Sequence, residues 1–226
     1  MTAASEAGIP GAENHEEVYE GQFGTFSITD HDRREVRIYR GGLGLAALSF
    51  GLGVMLLQTA GPSAAVLQGL SGLYAIFWVA LGVSLWTIHI YLRPLHRLLQ
   101  GFWLIGGLAS LGIGLLDTRP LALTVYQQPL TLLGIGFCFA ALTGIFFKEA
   151  FCFNRFETKL LTPLVPLLLL GHLTGILPAS VAQGLLIGWA GLFAVFALRK
   201  LWQPIPQDIG DKSVFTYLEQ QRTAAS

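Results

Sequence analysis

Few residues in this chain combine a reactive type with a useful spacing, and histidine leads them. His172 stands in Gly171-His172-Leu173-Thr174-Gly175, about twelve residues into an apolar stretch. An imidazole there could ligate a haem or pigment metal, or it could hydrogen-bond a neighbouring helix. The second use is the commoner one for a lone membrane histidine. His89 and His96 lie seven residues apart, which would put them on one face of an unbroken helix. Pro94 falls between them and can rotate them apart. Contact with headgroups or a loop is therefore expected ahead of a shared metal. No metal site and no bound cofactor are expected, with haem or pigment at His172 the one exception. Cys138 and Cys152 form no zinc or disulfide pattern and are read as small hydrophobes.

The densest polar segment is Phe146-Phe147-Lys148-Glu149-Ala150-Phe151-Cys152-Phe153-Asn154-Arg155-Phe156-Glu157. Aromatic residues interleaved with charges of both signs suit a membrane interface, where basic side chains snorkel to headgroups. They also suit a docking surface. The candidate partner surface is His89, Arg93, His96, Arg97, Lys148, Glu149, Phe151, Phe153, Asn154 and Arg155. Enzyme motifs are missing: there is no serine elbow, no HExxH, no phosphate loop and no pair of carboxylates. Gly42-x-Gly44 has no third glycine at the right spacing, and it lies in an apolar stretch. No catalytic residue is assigned, and an enzyme is not expected.

The elements that must carry these residues are membrane helices. Only 12% of the 226 residues are charged and 53% are hydrophobic, against about 25% charged in a soluble domain. Mean hydropathy is +0.57. A span needs roughly 20 apolar residues, and six stretches qualify. They run at about 41–58, 66–92, 98–116, 130–147, 160–177 and 181–198. Backbone groups in lipid must be satisfied within a segment, so these are helices. Barrel strands would alternate polar and apolar residues, which these blocks do not. The predicted fold is an all-α bundle of about six transmembrane helices with short loops. The last two blocks are separated only by Leu177-Pro178-Ala179-Ser180, so a re-entrant hairpin is the alternative to two full spans there.

Charge fixes the expected orientation. Of 14 basic residues, 13 fall at one side of the six spans and only Arg119 at the other. The positive-inside rule then puts both termini in the cytoplasm. Net charge is zero, so nucleic acid is not an expected partner. The first 37 residues are polar and acid-rich, so no cleavable signal peptide is expected.

Four segments follow. Residues 1–17 are expected to be a disordered tail. Residues 18–40 hold a cytoplasmic hairpin or strand and the start of a juxtamembrane helix, with Thr29 and Asp32 spaced as a capping box. Residues 41–200 are the six-helix domain. Residues 201–226 form a cytoplasmic tail with a short amphipathic helix capped by Asp211, although Pro204-Ile205-Pro206 is expected to forbid helix where the tail begins. Small residues recur at four-residue spacing, as in Gly106, Ser110 and Gly114 or Gly136, Ala140 and Gly144. Such stripes let helices approach closely, either within the bundle or across a homo-oligomer interface.

Three blocks carry a family likeness: TIHIYLRPLHRLLQ at 87–100, segments within 126–174 including ALTGIFFKEAFCFNR, and QPIPQDIGDKSVF at 203–215. They resemble a domain-of-unknown-function family of integral membrane proteins of cyanobacteria and plastids, over roughly residues 18–218. The resemblance implies a thylakoid or plasma membrane location and assigns no ligand or activity. The leading expectation is a non-enzymatic accessory or assembly factor of a larger membrane complex, with membrane lipid as its surroundings. A transporter or channel for a neutral or small solute is the alternative, and a haem- or pigment-binding protein using His172 is a third.

Overall fold

The computed structural model describes residues 17–224; the disordered tail expected for 1–17 lies almost wholly outside them. A hairpin comes first, β1 (Val18–Gly21) and β2 (Gly24–Ser27), paired antiparallel with Val18 opposite Ser27. Among the described residues nine α-helices follow: α1 (Asp30–Ala60), α2 (Ala64–Thr87), α3 (Arg93–Leu116), α4 (Leu121–Gln127), α5 (Leu132–Phe153), α6 (Phe156–Leu173), α7 (Ala179–Trp202), α8 (Ile205–Ile209) and α9 (Ser213–Ala224). Six of them are long and apolar enough to cross a membrane: α1, α2, α3, α5 with the turn before it, α6 and α7. The last two are separate helices joined by a turn in which Gly175 takes a φ of 69°.

α1 starts on a reciprocal cap. Asp32 N–H donates to the Thr29 hydroxyl at 3.2 Å, and Thr29 N–H donates to the Asp32 carboxylate at 2.8 Å. With 31 residues, α1 is roughly 46 Å long at about 1.5 Å per residue. That exceeds a hydrocarbon core of about 30 Å, so its N-terminal turns stand beyond the core. The prolines of the tail do not stop helix, contrary to the expectation. Pro204 caps α8 and Pro206 sits in its first turn, where backbone N–H groups have no helical partner to lose.

The bundle core is aliphatic and aromatic: Leu43, Leu81, Leu142, Ile145, Phe146, Phe193 and Phe196 are fully buried. Phe146 stands edge-on to Phe193 and Phe196 at 5.3 and 5.7 Å. Helices close where a side chain is missing. A Cβ on Gly42 would lie 2.5 Å from Ser84 Oγ of α2, and Ser84 Oγ donates instead to the Tyr39 carbonyl at 3.1 Å. Gly106 faces the Cys138 backbone, and Gly144 faces Leu99. These members of the small-residue stripes pack α3 against α5 within the chain. Gly114, Gly136 and Gly184 face open space.

α2 and α3 are joined by a reciprocal tryptophan pair. Trp78 and Trp103 stack at 4.5 Å and 3°. Each indole N–H donates to the other residue's carbonyl, at 3.1 and 2.8 Å. Each ring lies over a glycine four residues beyond its partner, Gly107 under Trp78 and Gly82 under Trp103. The pairing satisfies both indole donors in an apolar setting, where an unmade hydrogen bond is costly.

Candidate functional site

The chain's first and last described segments meet at one end of the bundle, and its buried charge is concentrated there. Lys200 comes from the last turn of α7, where the helix dipole favours a cation. Its side chain is wholly buried. The ammonium is ion-paired with Glu149 of α5 at 2.5 Å and with Asp208 of α8. Asp208 also accepts two bonds from the Arg40 guanidinium of α1, at 2.8 and 2.6 Å, and one from Gln203 at 3.0 Å. Glu149 accepts from the Tyr39 hydroxyl at 3.2 Å and from Lys148 at 3.0 Å. Arg155 donates to Gln203 at 2.7 Å. The cluster therefore ties α1, α5, α7 and α8 together through two carboxylates.

Three cations, Arg40, Lys148 and Lys200, share those two carboxylates. Phe153 takes part of the excess. Its ring lies 4.5 Å from Lys200, 5.4 Å from Lys148 and 5.7 Å from Arg155. Isolated buried charges would not persist in such a place; paired and hydrogen-bonded ones do.

The hairpin is fixed to the tail beside this cluster. Gln22 N–H donates to Asp211 at 2.6 Å, and Phe23 N–H donates to the Ser213 hydroxyl at 3.1 Å. Lys212 reaches Asp32 at 2.7 Å, and Phe23 stacks on Tyr217 at 4.1 Å. A Cβ on Gly21 would strike Asp211. The Ser213 hydroxyl and the Gln22 amide hold the Asp211 carboxyl below its ordinary range. Tyr91 donates to the Ile209 carbonyl, against Gly210 at a φ of 73°. Burial pushes the Tyr91 phenol well above its ordinary range.

Beside the hairpin, a cavity of about 390 Å³ is lined by Glu35, Trp86, His89, Arg93, His96 and Phe215, among others. His89 lies between α2 and α3. Burial draws its imidazole below its ordinary pKa, while Glu35 and Asp32 pull it partly back. His96 Nε2 lies 2.6 Å from the Leu85 carbonyl, and both histidines border one cavity.

The family comparison bears on most of these residues. The model of DUF2301, described as an uncharacterized integral membrane protein, matches residues 83–217. The chain belongs to the DUF2301 family. No match to it is found among curated proteins or among solved structures. The DUF2301 segment contains Lys148, Glu149, Lys200, Gln203 and Asp208, whereas their partners Tyr39 and Arg40 precede it. Its family description places the chain in lipid.

The sequence candidates fall into three groups. Lys148, Glu149, Phe153 and Arg155 belong to the buried cluster, and Asn154 takes a left-handed conformation (φ 53°) that turns α5 into α6. His89, Arg93 and His96 border the cavity, with Arg93 6.0 Å from the Phe215 ring. Arg97 and Phe151 are exposed. His172 stands apart from all of these. α6 ends at Leu173, so His172 lies in the last turn, not midway along the span, and stacks on Tyr126 at 5.5 Å. Sequence reasoning missed Arg40, Lys200 and Asp208, counting the two cations only toward orientation. The available signal was an acid just past the Pro204-Ile205-Pro206 turn, close enough in sequence to Lys200 to fold back on it.

Proposed function

We propose that this DUF2301 protein is a non-enzymatic accessory or assembly factor of a larger membrane complex, docking through the connection between α5 and α6. One observation carries the reading. That connection is half locked and half free: Phe153 and Arg155 are held by the buried cluster, while Phe151 and Phe156 are 82% and 70% exposed. Large aromatic side chains on a pre-organised backbone make effective anchors, because little conformational freedom is left to lose on binding. The excess of arginine and lysine at this end supports a cytoplasmic orientation for both termini. The cavity within the bundle, about 230 Å³ beside Phe50, Tyr74, Phe77 and Phe139, has an apolar lining, which favours this reading over a route for a polar solute.

Extraction of native membranes in mild detergent tests it. The protein should migrate with a larger complex, and F151A/F156A should release it while its own unfolding midpoint stays unchanged. Migration as a monomer from native membranes would overturn the reading.

A further inference from the structure

We propose that His31, Asp32, Glu35 and His89 form a binding site for a divalent transition-metal ion where the start of α1 meets the α2–α3 connection. Spacing on the helix brings the first three together. His31 and Glu35 are one turn apart, and Asp32 and Glu35 are three residues apart, so all face one side. Their donor atoms lie within 4.8 Å of one another. His89 enters from the other side, its Nε2 3.4 Å from Glu35 Oε2 and 3.8 Å from Asp32 Oδ1. His31 Nδ1 is 3.7 Å from the same Glu35 oxygen.

These separations are long for direct hydrogen bonds. Each exceeds the roughly 3.2 Å limit of a good N–H···O bond. Ligands about 2.0–2.2 Å from a tetrahedral ion lie about 3.3–3.6 Å from one another, and neighbouring ligands around an octahedral one about 2.8–3.1 Å. The separations of 3.4–3.8 Å lie close to the tetrahedral edge, so small side-chain rotations bring these atoms to one ion, with Glu35 Oε2 common to both imidazole contacts.

The surroundings also suit a cation. Asp32 Oδ2 is occupied by the Thr29 N–H and hydroxyl, both at 2.8 Å, and by Lys212 at 2.7 Å. That fixes the carboxylate with Oδ1 toward His89, the support that ligating groups ordinarily receive. Two carboxylates, Asp32 and Glu35, face His89, while Lys212 and Lys148 lie on their far side or further away. Two imidazoles with two carboxylates suit zinc, cobalt, nickel or iron better than magnesium or calcium. His31 is 76% exposed, so an ion can enter beside it and the ring can turn to complete the set. Occupancy would clamp the hairpin-bearing end of α1 to the α2–α3 connection.

The test is titration of the full chain in detergent, its affinity tag removed, with Co²⁺ alone and then Zn²⁺ in competition. One Co²⁺ per chain should bind with visible d–d bands, and Zn²⁺ should displace it. E35Q and H89A should each weaken binding at least about tenfold, and H31A should weaken it and alter the bands. H172A, at the far end of α6, should change neither. Because His31 is exposed and E35Q is isosteric, these two variants decide the matter even if H89A misfolds. Absence of saturable binding, or binding that E35Q and H31A leave unchanged, would overturn the site.

Discussion

The two ends of the bundle are built on different principles. At the end where the termini meet, Arg40, Lys148, Glu149, Lys200, Gln203 and Asp208 interlock beneath the surface, and a hairpin and a tail are fastened over them. At the other end, the helices are joined by turns and the short helix α4. Its ionic contact among the described residues is Asp117 with Arg119, 2.6 Å apart within one loop and closed locally by Thr124 and Gln127. The ion pairs of the first end include residues far apart in sequence, while the ion pair of the second joins near neighbours and Gln183 reaches Gln58 there through a neutral hydrogen bond. Lipid removes most of the hydrophobic drive for helix association. Polar contacts between distant segments therefore carry more of the specificity at the terminal end, and the opposite end can be simple.

The sharpest way to break that contrast is D208A. It leaves Arg40 buried without a carboxylate and Lys200 with Glu149 alone. Breaking a buried pair from one side costs about 3–5 kcal/mol, and chemical unfolding in mixed micelles should show a loss of that order. The double variant D208A/R40M removes the orphaned charge and should recover part of it. A loss for D208A no larger than that of an exposed substitution would mean the cluster is not a folding element.

G82A and G107A come next and probe the middle of the bundle, between the two ends. Each adds a Cβ 2.4 Å from a stacked indole. Overpacking of this kind costs about 1–3 kcal/mol, and each should also disturb the reciprocal Trp78–Trp103 bonds. Tryptophan fluorescence should shift in both variants.

These residues also mark what the sequence makes legible. Span number followed from block length and from the charge division, because lipid imposes a length and excludes unpaired backbone. The locked half of the α5–α6 connection was visible as aromatics among charges. The distant partners of Glu149 were not, because Tyr39 and Lys200 lie in other segments and pattern within a segment says nothing of contacts between segments. Lys200 illustrates the limit: a basic residue at a helix end looks the same whether it snorkels to headgroups or is buried against two carboxylates. His172 was placed differently for another reason, since a four-residue shift in the ends of α6 moves it from within the span to the last turn.

The hairpin tests the terminal end more gently. Asp211 holds the Gln22 amide, and its carboxyl is depressed below the ordinary value of about 3.9. A depressed carboxyl adds stability that is fully present above its unfolded value and is lost as pH falls through the folded one. The hairpin should therefore stay docked at neutral pH and loosen on acidification below about pH 4. D211N should mimic the acid state at neutral pH. Hydrogen exchange at Gln22 and Phe23, corrected for its intrinsic pH dependence, should rise severalfold in both cases while the six spans stay protected. Equal exchange in wild type and D211N would show that the Phe23–Tyr217 stack suffices.

The smallest effect is expected from D117N at the opposite end. Arg119, above all, and Thr124 hold the Asp117 carboxyl well below its usual range, so the contact looks strong when read by itself. It is nonetheless local and solvent-screened. Arg119 reaches it from two residues away, and its side chain is 39% exposed. An exposed pair that orders only its own loop returns little, since screening offsets most of the attraction. D117N should leave the unfolding midpoint where it is, at neutral pH and in low or high salt, while D208A does not. A D117N effect as large as that of D208A would mean that the strength of a contact here depends on its own geometry and not on the distance in sequence that it spans.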